Sequence, residues 1–326
     1  MEIRQVGNGA AGLIDLADVK PVLASDGSLI WVDLPCQDPA TEQVLSDVFQ
    51  FDRRAIADCL RRNPAAKLHV YDDHSFLVLH VPDPGEHGHV HSIELKLFIG
   101  PNYVVSVHGP LNPVVDPAVA LVETRAVARR IDTDRWRPEN VDQLVYAIIT
   151  GMNRRMNLRL SELRYVTWDL ERQVTSGELG DPEDFLEQMF GVRLGLQAVR
   201  TMAALDREVY SRMSRLRHVS KQDHALMADS IDQFKRVIAS ADVQRDYLQG
   251  VMDFYQTRLN TKMTLAAERL AVIAAVTLPV TAISSVLGMN VIVSDHTHWV
   301  ELIFLVIAMA SLSTWLLLWA KRQGWW

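Results

Sequence analysis

The chain has 326 residues, 48% of them hydrophobic, and a formal net charge of −7. Length alone allows two or three domains, and a mean hydropathy of +0.03 fits an ordinary soluble protein. The negative balance argues against nucleic acid as a partner and suits cations, while Cys36 and Cys59, with no CxxC pair, fit a reducing compartment rather than a disulfide framework.

Residues 1–25 form an N-terminal segment without a cationic start followed by an apolar block. No signal peptide is expected, so the N-terminal bulk should stay in the cytosol. Gly7 to Gly12 satisfies GxGxxG, but six preceding residues are too few for a strand and Pro21 cuts the helix that should follow. With no GxxxxGK[ST], HExxH or GxSxG present either, no enzyme is expected.

Residues 28–35, 67–82, 91–100 and 102–109 read as strands, because β-branched and aromatic residues recur between Pro, Gly and Asp breaks. Residues 41–62 are helical by period. The expected product is a small sheet with helices against it. Between two of these strands runs Glu86-His87-Gly88-His89-Val90-His91. A hairpin turn explains it; if the segment is extended, His87, His89 and His91 share one side and could bind a transition metal.

After Pro113 the strand signals stop. One helix is expected from Pro138 and Glu139 to about Gln173, a polar turn over 176–184, and a second helix from about Glu183 to about Leu216. A cytosolic α/β and helical domain would thus cover 26–220. Gly151-Met152-Asn153 lies in the first helix, among residues alternating at helical period, and reads as coincidence.

A third helix begins near Lys221. No proline occurs between Pro182 and Pro279, so nothing forbids one helix from 221 to 288, about 100 Å long at 1.5 Å per residue. Its stripe of Met227, Ile231, Phe234, Ile238, Leu248 and Met252 cannot be buried by the helix alone. The stalk, 221–269, needs neighbouring helices or copies of itself, and cyclic symmetry is the usual solution.

Ala271 to Leu287 and Leu302 to Ala320 carry no charge. With flanking residues each reaches the ~20 residues that cross a bilayer. They are assigned as spans 270–290 and 299–320, joined by an extracytoplasmic loop, 291–298, and followed by a basic, Trp-containing tail, 321–326. Lys262 and Arg269 precede the first span, Lys321 and Arg322 follow the second, and the loop has neither residue type. Both termini should therefore face the cytoplasm, with Trp299, Trp319, Trp325 and Trp326 near the interfaces.

At 100° per residue, Leu270, Ala274, Thr277, Thr281, Ser284, Ser285 and Gly288 share one stripe of the first span, with Leu278 at its edge. Small residues of this kind suit close helix packing or a wall along which water and a hydrated cation move. Leu270 and Leu278 are the candidates for an apolar constriction that gates by excluding water. Pro279 frees one backbone carbonyl mid-span.

Gly-Met-Asn recurs at 288–290, where Gly288 can end the helix without steric cost and Asn290 brings an amide to the water boundary. An N-terminal α/β module, a very long helix, two C-terminal spans and GMN closing the first span together resemble the CorA family of divalent cation channels, over essentially the whole chain. The resemblance implies an α+β membrane protein of the inner membrane, a funnel-shaped homopentamer with the first span lining the pore. Gly288, Met289 and Asn290 would form the selectivity entrance. Mg²⁺, with Co²⁺ and Ni²⁺, would be substrate and regulator, with no prosthetic group. Mg²⁺ keeps several waters when bound, and a ring of neutral oxygens can meet a hydrated ion without trapping it. Since Asn290 projects away from the stripe on an ideal helix, the chain must leave helical geometry at Gly288.

The family's Met-Pro-Glu-Leu-like loop is replaced here by VIVSDHTHW. Asp295 stands near the place of the acid, and His296 and His298 add imidazoles that favour softer metals. A ZntB-like proton-coupled transporter of Zn²⁺ or another transition metal is therefore the near alternative. A membrane-tethered cytosolic sensor or scaffold is the alternative of another class. Asp229 and Asp232 match the family's acidic stalk pair, which implies a regulatory cation site between subunits; Asp246, Asp253 and Asp223 are weaker candidates. Tyr71-Asp72-Asp73 resembles a common family segment and reads as structural.

Overall fold

Among the described residues seven strands form, β1 (Glu2–Gly7), β2 (Ala10–Leu13), β3 (Ile30–Pro35), β4 (Lys67–Val70), β5 (Ser75–Pro84), β6 (Val90–Ile99) and β7 (Tyr103–His108), with Val, Ile, Leu and Phe concentrated in β3, β5, β6 and β7. They pair in the order β2-β1-β3-β7-β6-β5-β4. Only β3 and β7 run parallel; every other pair is antiparallel. The computed structural model describes residues 1–7, 10–25, 27–85, 88–177, 181–216, 221–288 and 299–322. It divides into two units, Met1–Gly250 and Val251–Trp326.

Alternation along the strands sends side chains to opposite faces. On one face Ile30, Val32 and Leu34 join Phe76, Val78 and Phe98 in a core completed by Val44, Leu45, Phe51 and Ile56. Helix α1 (Val19–Leu23) precedes β3; those last residues come from a π-helical turn (Val44–Val48) that continues α2 (Pro39–Gln43), the link after it, and α3 (Arg53–Leu60). The Phe51 and Phe98 rings stack with centroids 4.2 Å apart. Toward the other face point Trp31, Leu77, Leu79 and Leu97, all buried. α5 (Val141–Ser176) and α6 (Pro182–Leu216) pack against β5.

Three polar ties hold these layers. Lys96, fully buried, donates from Nζ to the carbonyls of Cys59 (2.6 Å), Arg61 (2.8 Å) and Gly109 (2.5 Å), with the Glu94 carboxylate 3.1 Å away. An ammonium so supplied with acceptors can be tolerated in the interior. Asp33 on β3 meets His108 Nε2 at 2.6 Å and accepts from Ser106, whose hydroxyl in turn accepts from Trp31 Nε1 at 2.9 Å. Both Ser106 and Thr124, the hydroxyls of this chain of bonds, are wholly buried, so it is a structural tie.

The third tie is Asp206 on α6. β4 pairs with β5 only along Ser75–Val78, which leaves the N–H of His80 without a strand partner. Asp206, wholly buried, accepts that N–H on both carboxylate oxygens at 3.1 and 3.2 Å. Burial pushes its carboxyl well above the usual range, against the His80 hydrogen bond.

α4 (Val122–Asp132) follows a 3-10 turn at Pro117–Leu121. Arg155 of α5 fastens it, reaching Glu123 at 3.4 Å and Asp83 of β5 at 2.8 Å. Beyond α6, α7 runs unbroken from Lys221 to Gly288, 68 residues, and α8 spans Trp299–Arg322. The C-terminal unit consists of the last part of α7 and α8.

Four expectations change. Residues 2–7 are a strand after all: β1 and β2 pair antiparallel up to Gly7 opposite Ala10, so the described part of Gly7–Gly12 is strand rather than the start of a helix. The run 67–82 is two strands, because Asp72-Asp73 falls in the turn between β4 and β5. The helix expected over 41–62 is broken between Val48 and Arg53, where Gln50 takes a positive φ of 55° and Asp52 caps α3. α4 is an element with no counterpart in the expected set; the 3-10 turn before it is capped by Asp116, which accepts the Ala118 N–H, with Pro117 at its first position.

Candidate ion pathway and cation sites

Two helices, α7 and α8, are long and apolar enough to cross a membrane, and almost none of their apolar stretches is buried within the single chain. On α7 the expected stripe is uncovered. Thr277, Thr281, Ser284 and Ser285 are exposed, Ala274 is half-buried, and Leu270 and Leu278 are 66% and 67% exposed. Thr277 donates its hydroxyl proton to the Ile273 carbonyl at 2.9 Å, and Thr281 to the Thr277 carbonyl at 2.8 Å. This is the ordinary habit of threonine in a helix, and it leaves the hydroxyl lone pairs outward as acceptors. Acceptors without donors are what a hydrated cation's waters require.

Pro279 lies inside α7, which ends at Gly288. Met289, Asn290, Asp295, His296 and His298 lie outside the described residues.

In the stalk, Asp229 is held by two donors on one oxygen: the Tyr146 hydroxyl at 2.7 Å and the Gln233 amide at 2.6 Å. Its other oxygen faces Arg236 at 3.8 Å. The Tyr146 hydrogen bond, then that of Gln233, keep the carboxyl below the usual range despite some burial. Asp232, more than half exposed, pairs with Lys235 at 2.8 Å. Three residues apart, the two carboxylates share a helix face, and each faces a cation of its own helix, Arg236 for Asp229 and Lys235 for Asp232. Tyr146, on α5, is the site residue that spacing along the chain did not reveal. Asp223 accepts from Asn140 at 3.0 Å, Asp246 lies 3.3 Å from Arg245, and Asp253 is exposed.

His89 and His91 do come together, ring centroids 4.8 Å apart at the β5–β6 turn, and His87 lies outside the described residues. Among the described residues no group of three or more His, Cys, Asp or Glu is gathered for a metal. Met152 and Asn153 of the first Gly-Met-Asn are buried in α5, as a soluble helix requires.

The whole of this arrangement, from β3 to the end of α8, matches one protein family. Residues 26–322 fit the family described as CorA-like Mg²⁺ transporter protein. The chain belongs to this CorA-like family. It is a metal-ion transporter of the CorA type, with an N-terminal α/β domain, a long helix and two C-terminal apolar helices, and its family is one of transporters. Among CorA relatives, the putative metal ion transporter YfjQ of Bacillus subtilis is 24% identical over 314 residues, 94% of this chain and 93% of its own. The cobalt/magnesium transport protein CorA of Thermotoga maritima is 22% identical over 290 residues, 87% of this chain and 79% of its own. The CorA magnesium transporter of Methanocaldococcus jannaschii shares the fold at a TM-score of 0.84 and 17% identity, over 100% of this chain and 99% of its own.

Proposed function

We propose that this CorA-family chain is a passive divalent cation channel, selective for Mg²⁺ and admitting Co²⁺ and Ni²⁺, built as a homopentamer in the inner membrane with both termini cytoplasmic. The observation that carries this reading is the uncovered stripe of α7, where Thr277, Thr281, Ser284 and Ser285 offer hydroxyls along one side of the uncharged stretch that begins at Ala271. Facing lipid, those oxygens would be wasted; facing a shared axis, they give a hydrated ion a polar wall. Leu270 and Leu278 then narrow that axis, and an apolar ring gates by dewetting. Gly288, Met289 and Asn290 rim the outer mouth, with Asp295, His296 and His298 in the loop beyond.

Entry needs no pump: a charge of +2 gains about 4.6 kcal/mol per 100 mV on entering a negative cytosol. Asp229 and Asp232 supply the brake. A cytosolic cation shared between one subunit's pair and its neighbour relieves carboxylate repulsion and holds the closed state, so uptake stops when the cell is replete.

The test is flux into proteoliposomes, with Mg²⁺, Co²⁺, Ni²⁺ and Zn²⁺ compared with and without a pH gradient. Mg²⁺ uptake indifferent to the gradient and lost in Asn290→Ala is the expected result. Zn²⁺ flux that follows the gradient would identify a proton-coupled transporter instead; absence of flux for all four ions in the parent chain would leave only a tether, and flux unaltered in Asn290→Ala would remove the asparagine ring.

A further inference from the structure

A groove between α4 and α5 takes no part in the ion pathway. Its volume is about 480 Å³, in the range of small-molecule sites. Val119, Val122, Val127 and Leu158 give it apolar walls, and Val122 and Leu158 are 50% and 56% exposed. Arg130 and Arg154 line the same groove. Arg130 stacks on Trp136 at 4.7 Å, and among the described residues no carboxylate pairs with either guanidinium.

Two carboxylates, Asp83 and Glu123, also border the groove, yet both are engaged by Arg155, at 2.8 and 3.4 Å. Their charge is therefore already answered, and what remains facing the groove is the positive charge of Arg130 and Arg154.

Gly151, the first residue of the unused Gly-Met-Asn, lies on the groove's floor in mid-helix. Glycine is a poor helix former, and nothing crowds this one: a Cβ there would meet Glu123 at 3.5 Å, an ordinary contact. No packing constraint demands glycine at 151. Its effect is to keep the floor low.

From these features we infer that the groove binds a small organic anion with an apolar body, its charged end between Arg130 and Arg154 and its body over Gly151 against the valines. A helix or a lipid chain would not fit this pattern as well, since the volume is that of one small molecule and the free charges are cationic. The ligand would bridge α4 and α5.

The probe is phenyl phosphate, titrated calorimetrically into the purified full-length chain in nanodiscs. Saturable binding at or below about 1 mM is expected, with inorganic phosphate and benzyl alcohol each weaker by about tenfold, because one lacks the body and the other the charge. Arg154→Gln and Arg130→Gln should each weaken binding by about tenfold. Gly151→Leu should abolish it while leaving the melting temperature unchanged or raised; if that variant fails to fold, Arg154→Gln decides. The inference is overturned by absence of saturable binding, by inorganic phosphate binding equally well, by binding indifferent to Arg154→Gln, or by a disulfide between two copies of Leu158→Cys, which would show a second chain seated in the groove.

Discussion

The hydroxyl of Tyr146 on α5 and the Oδ2 oxygen of Asp229 on α7 are 2.7 Å apart, and Gln233 donates to that same oxygen at 2.6 Å. The carboxylate is thereby fixed in rotation, with Oδ2 taken by two donors and Oδ1 turned toward Arg236 at 3.8 Å. Residues that orient a ligand in this way commonly govern its affinity for metal.

Tyr146→Phe removes one of the two donors to Asp229, together with the hydroxyl's own contacts to Thr150 and Gln233. It should weaken the Mg²⁺-dependent protection of the stalk against protease by about tenfold, while leaving the midpoint of thermal unfolding within a few degrees. Protection unchanged at every Mg²⁺ concentration would mean that Asp229 holds no cation.

Leu278 is 67% exposed in the single chain, so replacing it costs the chain's own packing little. If it belongs to the apolar constriction, Leu278→Ser should raise basal Mg²⁺ leak severalfold in proteoliposomes, because a wetted ring no longer excludes ions. A leak equal to that of the parent chain counts against its place on the axis.

Asp206 gives a pH dependence with a definite sign. Its folded carboxyl is raised, so the folded state binds a proton that the unfolded chain releases near pH 4. The stabilising contribution is therefore full below about pH 4 and declines as pH rises through the raised folded value. Asp206→Asn keeps the carbonyl that accepts the His80 N–H but cannot ionise. Its melting temperature should exceed that of the parent by more at pH 8 than at pH 5; parallel curves would show that the folded carboxyl ionises as readily as the unfolded one and is not raised.

Arg155 neutralises two acids at once, one of them, Glu123, only 4% exposed. Arg155→Met should cost about 3 kcal/mol, the usual penalty for stranding a buried charge. The double variant Glu123→Gln with Arg155→Met should recover part of it in chemical denaturation. Strict additivity of the two changes would mean the pair is uncoupled.

The helices were readable because a 3.6-residue period over thirty or more positions without proline admits few alternatives; α5, α6 and α7 all begin and end close to the expected residues. Short elements were not. β1 and β2 carry six and four residues, too little for a period to register; β1 is held by pairing with β3, and β2 only by pairing with β1. The turn at Asp72-Asp73 hides inside a run that is uniformly strand-like on either side. The stripe on α7 could be read because it is a property of one helix. Tyr146 could not, since the 83 residues that separate it from Asp229 are brought together only by the packing of α5 on α7.

The carboxylate that α6 lays against His80 has one more consequence. A strand that stops being paired halfway along is an open template, to which a foreign strand can zip. Proteins concentrated on a bilayer meet sideways again and again, and a bare stretch of β5 would invite fusion of one molecule's sheet with the next. By occupying that site from a helix, this molecule can be packed densely without growing into a ribbon.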